Sequence, residues 1–275
     1  PATNLNNQPW SQPSVFDALT GTVRWLQAIN SDWRWSAQMG SQRLKTDDRL
    51  AYGFGCSADN NYDRYCSDGT FDLYDFRSEN EKRTLNAANI KLQGKVETAG
   101  LSHDLSLGLT HSQLKNRFQM QAYNYVGTGN VAGTLVAPAD PTLSDQNTNR
   151  DEKSLELSVQ DVIKWTPRLS TWVGLRSTSL ARDSIRTDGS RTTHYTAALN
   201  TPWLAVHYAL DASKSLYASY GEGVESQVVP NKASQYSNPG VALAPLKSKQ
   251  LELGVKGFQK DLIWQANAFR ISRPM

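Results

Sequence analysis

The chain has 275 residues, with 29 basic and 26 acidic side chains and a net charge of +3 when the histidines are neutral. Charge this evenly balanced and scattered argues against a nucleic-acid-binding protein. No apolar run reaches the ~18 residues of a transmembrane helix, and the first residues, PATNLNNQPW, lack the apolar core of a signal peptide.

Alternation of apolar and polar residues with a period of two is the dominant pattern, and it predicts β-strands. In chain order it occurs in WRWSAQMG (33–40), NIKLQGKVE (89–97), HDLSLGLT (103–110), SLELSVQ (154–160), LYASYG (216–221), SKQLELGVKG (248–257) and IWQANAF (263–269). The pattern recurs too often to be chance, so we expect an all-β protein.

About ten strands are predicted from this pattern, and several are roughly twice as long as an ordinary globular strand. They fall near residues 16–29, 33–44, 82–98, 103–117, 152–164, 169–182, 192–209, 214–225, 246–258 and 263–273. Lengths of this order suit a tilted strand that crosses a bilayer, which needs ~9–11 residues.

The predicted connections alternate between short turns and long polar segments. The short turns lie at 30–32, 99–102, 165–168, 211–213 and 259–261, and the long segments at 45–81, 118–151, 183–191 and 226–245. Short turns at one end and long loops at the other are typical of an outer-membrane barrel. A soluble β-sandwich, which we keep as an alternative, rarely separates its loops so cleanly by length.

The two faces of each predicted strand should then meet different surroundings. A closed barrel satisfies its backbone within the sheet, so its outer face contacts lipid and its inner face contacts water or a plug. In SKQLELGVKG we expect the apolar positions to face lipid and the polar ones the lumen, namely Leu251, Leu253 and Val255 against Gln250, Glu252 and Lys256. Four tryptophans near strand ends suit an interfacial girdle or ordinary packing: Trp33, Trp165, Trp203 and Trp264.

Three segments carry a family resemblance: SLYASYGEGVES (215–226), NPGVALAPLKSKQLELGVKG (238–257) and NAFRISRP (267–274). Together they resemble the barrel of TonB-dependent outer-membrane receptors, in particular the ferric-siderophore receptors. The resemblance implies an antiparallel transmembrane β-barrel in the bacterial outer membrane, with long extracellular loops and short periplasmic turns. It also implies that residues 1–275 form part of the barrel, with the N-terminal plug domain and the closing strands absent.

The same resemblance implies a receptor that binds a ferric siderophore and imports it, energised by the TonB complex through the missing plug. Its partners would be the chelate, outer-membrane lipid and TonB, with no nucleic acid and no resident cofactor. A passive porin-like channel and an outer-membrane hydrolase on a small closed barrel remain alternatives.

Candidate ligand-binding residues come from two long polar segments. Aromatic rings, guanidinium groups and amides suit a bulky and often anionic ferric chelate. The candidates are Tyr62, Arg64, Tyr65, Tyr74, Arg77, Gln121, Tyr123 and Tyr125. The alternative is that these side chains pack the loops against one another.

Two cysteines, Cys56 and Cys66, lie in the polar segment CSADNNYDRYC. They could form a disulfide that clips this loop in an oxidising compartment, or they could be free thiols. Their spacing is not that of a CxxC metal or redox motif.

Catalytic motifs are weak throughout the sequence. The four histidines, His103, His111, His194 and His207, lack HxxxH or HxH spacing, and no Gly-x-Ser-x-Gly elbow occurs. We therefore predict no catalytic residues, no metal site and no enzyme.

Overall fold

A computed structural model of the chain describes residues 3–225, 229, 236–239, 241, 243 and 245–273. These residues form one antiparallel sheet and a short 3-10 helix, Ser57–Asp59. The strands are β1 Val15–Ala28, β2 Trp33–Gly53, β3 Thr70–Thr98, β4 Leu101–Arg117, β5 Ala122–Asn130, β6 Thr148–Lys164, β7 Leu169–Arg186, β8 Thr193–Ala209, β9 Lys214–Glu225, β10 Leu246–Gln259 and β11 Leu262–Ser272. Among these residues, none of the helical segments has the length and apolar character that a membrane-spanning helix requires.

The sheet is a meander in which all strands except β5 pair with the next strand along the chain, β4 pairing directly with β6. Its order is β1-β2-β3-β4-β6-β7-β8-β9-β10-β11, and β5 pairs only with the first part of β3. Within the part of the chain that the structure describes, β1 and β11 are the free edges and do not pair with each other. The predicted all-β antiparallel fold is confirmed, and this stretch of sheet is open rather than a closed small barrel.

The structure differs from the predicted strand pattern at the end of the sheet that carries the long loops. There β2 continues to Gly53 and β3 begins at Thr70, so much of the predicted loop 45–81 is strand. The segment predicted as a loop at 118–151 contains β5. Bulges between Thr46 and Asp48 and between Leu73 and Tyr74 shift the pairing register. Because a bulge breaks the period of two, the alternation did not reveal these strands. Most of the predicted loop 226–245 lies outside the described residues.

One face of the sheet is apolar and fully open to its surroundings. The cross-strand register places leucines and valines side by side on it, with exposed fractions of 44–57% for Leu107, Leu109, Leu155, Leu157, Val159, Leu251 and Leu253. No second sheet covers this face in the described structure. The hypothesis of a soluble sandwich is therefore wrong, since its apolar faces would pack together in a dry core.

The opposite face is polar and carries cross-strand ion pairs. Arg176 pairs with Glu156 at 3.1 Å, and Lys164 pairs with Asp104 at 2.9 Å. In β10, Glu252 on this face accepts a hydrogen bond from Asn267 Nδ2 at 3.0 Å. The division of faces predicted for β10 is confirmed, and the polar side is the lumenal one.

The predicted tryptophan girdle is only partly correct. Trp33 and Trp264 share the apolar face near the short turns, paired with Gly94 and Gly257. Trp203 instead pairs with Gly174, which lies on the polar face beside Gln160. The prediction was wrong for Trp203 because its position near a strand end does not define the face, whereas the register does.

Aromatic rings lie across glycines in the neighbouring strand at five directly paired positions. The pairs are Trp33 over Gly94, Phe71 over Gly129, Trp203 over Gly174, Tyr217 over Gly254 and Trp264 over Gly257. A Cβ added to Gly174 would lie 2.0 Å from Cζ2 of Trp203. Glycine is required here because only a residue without a side chain lets the ring lie flat on the backbone.

We expect Gly174→Ala to destabilise the sheet by about 1–3 kcal/mol, the usual cost of overpacking. In the natural full-length protein in detergent, the variant should unfold at a lower temperature or urea concentration than the wild type. Gly21→Ala is the matched control, since a Cβ at Gly21 meets nothing within 4 Å. Equal losses in the two variants would contradict the role assigned to the Trp203 ring.

Candidate ligand-binding surface

The sheet extends beyond the end of β4 on the side of the long loops. We call this part the loop-side extension; it comprises residues 48–53 of β2, 70–78 of β3, and β5. It begins after the bulge at Thr46, where the register of β2 against β3 shifts. Parts of β2 and β3, together with β5, therefore form a three-stranded extension with its own core, which projects past the other strands on the side of the long loops.

The back of the loop-side extension holds the main buried apolar cluster of the described residues. Ala51, Phe71, Leu73 and Ala137 are at most 7% exposed. Trp10, from the segment before β1, packs against them, and its Nε1 donates to the Ala137 carbonyl at 3.1 Å. The N-terminal segment and the segment after β5 therefore fix the extension from one side.

The front of the extension carries aromatic rings. We call it the aromatic surface; it comprises Tyr52, Phe54, Tyr74, Phe76, Tyr123 and Tyr125. Tyr74 and Tyr123 stack with centroids 4.7 Å apart and an interplanar angle of 3°. Tyr52 lies 5.9 Å from the Tyr123 ring, and Tyr125 meets Tyr74 edge-on at 5.8 Å. The rings form one continuous surface that is substantially exposed, with Tyr125 at 55%.

The phenols at the centre of the aromatic surface hold their protons firmly. Partial burial is the main cause that raises the pKa of Tyr123 to about 12, and the neighbouring Tyr52 and Tyr74 contribute to this increase. Burial is also the main cause that raises the pKa of Tyr74. Both residues lie beyond the membrane-spanning part of the sheet, in the extension. Near neutral pH the surface therefore presents neutral hydroxyl groups that can donate hydrogen bonds.

Two charged residues support the aromatic surface from behind. The Asp75 carboxylate is fully buried and accepts two hydrogen bonds from Arg77, at Nε (2.8 Å) and Nη2 (2.9 Å). Asp75 also accepts a hydrogen bond from the Asp140 amide at 2.9 Å, which ties down the segment after β5. The hydrogen bonding of Arg77 to the Asp75 carboxylate is the main cause that raises the pKa of Arg77. The free-energy cost of taking these two charges out of water is offset by the bidentate hydrogen bonding and by the additional hydrogen bond from the Asp140 amide.

The structure brings together three of the eight predicted ligand residues, Tyr74, Tyr123 and Tyr125. Arg77 is engaged by Asp75, and Gln121 donates to Asp145 Oδ2 at 3.0 Å. These two side chains hold backbone segments in place, and a ligand contact stays a prediction for them.

The remaining predicted residues lie in the loop between β2 and β3. Tyr65 packs on Phe71 with ring centroids 4.6 Å apart. Tyr62 is 62% exposed, and the Arg64 side chain is 81% exposed with its nearest carboxylate, that of Asp63, 4.0 Å away. Tyr62 and Arg64 are therefore free to meet a ligand from solvent.

A disulfide joins Cys56 to Cys66 and closes this loop. The Asp72 carboxylate anchors the start of the loop, accepting hydrogen bonds from Ser57 N at 2.9 Å and Ser57 Oγ at 2.8 Å. Cys56, Asp59 and Cys66 are the group among the described residues whose potential metal-ligating atoms converge. Because the two sulfurs are bonded to each other, they are not available as thiolate ligands.

The histidines do not assemble into a catalytic cluster. His103 Nδ1 lies 2.7 Å from Asp161, and His194 Nδ1 lies 2.6 Å from Asp183. His111 contacts the Ser154 carbonyl at 3.0 Å. Each contact is separate, so the converging histidine and acidic groups that a hydrolase would need are not formed by the described residues.

Three members of the aromatic surface, Tyr52, Phe54 and Phe76, were not among the predicted ligand residues. The signal was present as aromatic residues spaced by two, in YGF (52–54), YDF (74–76) and YNY (123–125). Residues two apart in a strand share a face. Three such pairs in adjacent polar segments therefore indicate three strands with one aromatic side.

The family model described as TonB dependent receptor-like, beta-barrel matches residues 1–273. The ferrichrome outer membrane transporter/phage receptor of Escherichia coli (strain K12) is 26% identical over 242 residues. That match covers 79% of this chain and 30% of the relative, so the chain spans less than a third of the relative's length.

Solved structures show the same fold. The ferric preacinetobactin receptor of Acinetobacter baumannii matches with a TM-score of 0.77 at 18% identity, covering 95% of this chain and 38% of that one. The closed form of a ferric-catecholate import receptor from E. coli K12 matches with a TM-score of 0.80 at 15% identity, covering 98% and 42%. The predicted fold class, a partial antiparallel transmembrane β-barrel, is confirmed.

The disulfide predicts a defined protease sensitivity. We expect the Cys56→Ser/Cys66→Ser variant to be cut faster by trypsin after Arg64, because losing a clip on a loop of this size removes about 3 kcal/mol of chain-entropy restraint. Cleavage after Arg191, in the turn between β7 and β8, is the internal control. Equal cleavage rates after Arg64 in wild type and variant, or two reactive thiols in unreduced protein, would contradict this role.

The raised pKa of Tyr123 predicts an alkaline transition. The unfolded chain releases this proton near pH 10, whereas the folded protein holds it until about pH 12. The contribution of Tyr123 to stability is thus complete below about pH 10 and is lost as the pH rises to about 12. Comparing tyrosinate absorbance of wild type and Tyr123→Phe should isolate a component with a midpoint near pH 12. A midpoint near pH 10, as in the denatured protein, would contradict the burial argument.

Proposed function

The chain belongs to the TonB-dependent receptor β-barrel family, and from this premise we propose that it forms part of the wall of a receptor that binds a ferric siderophore and imports it. The family is one of receptors and transporters, and the chain lies in the bacterial outer membrane. The observation that carries the proposal is the aromatic surface, six rings held at the loop end of a sheet whose apolar face needs lipid.

The aromatic surface suits a large chelate better than a small ion. Aromatic rings supply broad contact area, and phenol hydroxyl groups that remain protonated can donate to the oxygen atoms of the chelate. The surface is rigid because Asp75, Arg77 and the apolar cluster fix the strands from behind. In this proposal the iron is cargo within the ligand, the protein has no resident cofactor, and it performs no catalysis.

The rest of the proposed receptor follows from the free edges of the sheet. Unpaired backbone groups in hydrocarbon cost several kcal/mol each, so β1 and β11 need further strands as partners. We propose that residues 1–275 are one part of such a barrel and that a plug domain occupies the lumen. Energy from the TonB complex would act on that plug, whereas the described wall would hold the chelate in place.

The proposal predicts the effect of removing the central rings. We expect Tyr123→Ala and Tyr74→Ala in the full-length protein to weaken binding of the cognate ferric siderophore about tenfold each, since each removes a stacked ring. Tyr208→Ala, on the apolar face near the short turns, is the matched control. The measurement is the dissociation constant, followed by iron uptake in cells.

Two outcomes would contradict the proposal. Binding that is unchanged in both ring variants would remove the aromatic surface from the site. Iron uptake that survives collapse of the proton-motive force would instead indicate the passive channel.

A further inference from the structure

Four arginines gather on the polar face at the loop end of β3, β6 and β7. We call this set the arginine row; it comprises Arg83, Arg150, Arg182 and Arg186. The pairing register runs from Arg83 to Asn116 in β4, from Asn116 to Arg150, and from Arg150 to Ser184 in β7. Directly paired residues share a face, and Arg182 and Arg186 flank Ser184 on that face.

Two members of the arginine row have carboxylate partners. Arg182 binds Glu152 at 2.7 Å through Nε and is only 4% exposed. Arg83 binds Glu81 at 2.6 Å and Thr46 Oγ1 at 3.1 Å. The Arg83 guanidinium also lies 4.9 Å from the centre of the Phe118 ring, at the start of the segment that leads to β5. The arginine row therefore contacts, through Arg83 and Phe118, the segment that leads to β5 and so to the aromatic surface.

The other two arginines lack such partners. Arg150 and Arg186 form no ion pair among the described residues, and the Arg186 Nε atom is buried without a hydrogen-bond partner. Asp188, in the turn after β7, acts on Arg186 electrostatically and accepts a hydrogen bond from Ser190 N at 2.8 Å. Asn116, paired with Arg150, is 6% exposed, and its Oδ1 is buried without a partner.

This arrangement leaves a local excess of one positive charge, since four guanidinium groups face the carboxylates of Glu81, Glu152 and Asp188. Buried donors without partners and adjacent like charges are both unfavourable, so the free protein is poised to accept an anion. A guanidinium group matches a carboxylate in shape and binds it through two parallel hydrogen bonds.

We propose that Arg150 and Arg186 bind anionic oxygen groups of the ligand, so that this receptor takes a negatively charged ferric chelate in preference to a neutral one. The inference rests on the proposed function, because it names the class of chelate that the same site accepts. The aromatic surface supplies contact area that is indifferent to charge, and the arginine row supplies the selection for charge. The free Asn116 oxygen can accept a hydrogen bond from a hydroxyl or amide group of the same ligand.

The test compares two iron-loaded probes, ferric citrate as a carboxylate chelate and a neutral ferric trihydroxamate. In the full-length protein we expect ferric citrate to bind more tightly than the trihydroxamate. Arg150→Gln and Arg186→Gln should each weaken ferric citrate binding about tenfold to hundredfold, as expected for a charge-assisted hydrogen bond. Binding of the trihydroxamate should change less than twofold, about the level of ordinary scatter.

Arg176→Gln is the matched control, since Arg176 lies on the same face of β7 and is already paired with Glu156 at 3.1 Å. Arg150→Lys keeps the charge but not the fork of donors, so it should retain part of the ferric citrate affinity. Equal weakening of both probes would show that the row holds a protein segment such as a plug, and would overturn the inference. Preference for the neutral probe in the wild type would also overturn it. Failure to bind any ferric chelate would instead defeat the proposed function itself.

Discussion

The contact between the apolar face of the sheet and lipid hydrocarbon is the constraint on which the rest of the structure depends. Leu155, Leu157 and Val159 stand about half exposed, and no second layer of the described protein covers them. In water such a continuous apolar face would drive aggregation. In a bilayer the same face is satisfied, and the hydrogen bonds of the backbone must then be made within the sheet. Polar groups can be placed only on the opposite face or beyond the membrane.

This constraint explains why the sheet is regular within the membrane and irregular in the loop-side extension. Within the membrane, rings such as Trp203 lie flat on paired glycines and hold neighbouring strands in register without adding bulk. Beyond the membrane, the sheet no longer needs two uniform faces. The loop-side extension therefore has a small core of its own on one side, built around Phe71 and Leu73, and exposed rings on the other.

The strands inside the membrane could be predicted from the sequence, because lipid enforces a strict period of two. In β10 the alternation from Gln250 to Lys256 predicted the strand and its two faces, whereas its pairing partners in β9 are known only from the structure. The loop-side extension could not be predicted in the same way, since its bulges reset the period and its back is covered by the segment before β1. Trp203 was misplaced because proximity to a strand end does not specify a face. The arginine row could not be predicted because its members are distant in sequence and are brought together only by the pairing register of β3, β4, β6 and β7.

The loop-side extension also separates charge from aromatic area. Asp75 and Arg77 neutralise each other behind the rings, so the aromatic surface itself carries no net charge near neutral pH. The electrostatic preference of the site must then come from other side chains on the same end of the wall. At this end of the wall, Arg150 and Arg186 form no ion pair among the described residues, and the Arg186 Nε atom is buried without a hydrogen-bond partner. A ligand that contacts the rings alone would be held by shape, whereas one that also reaches these arginines would be selected by charge.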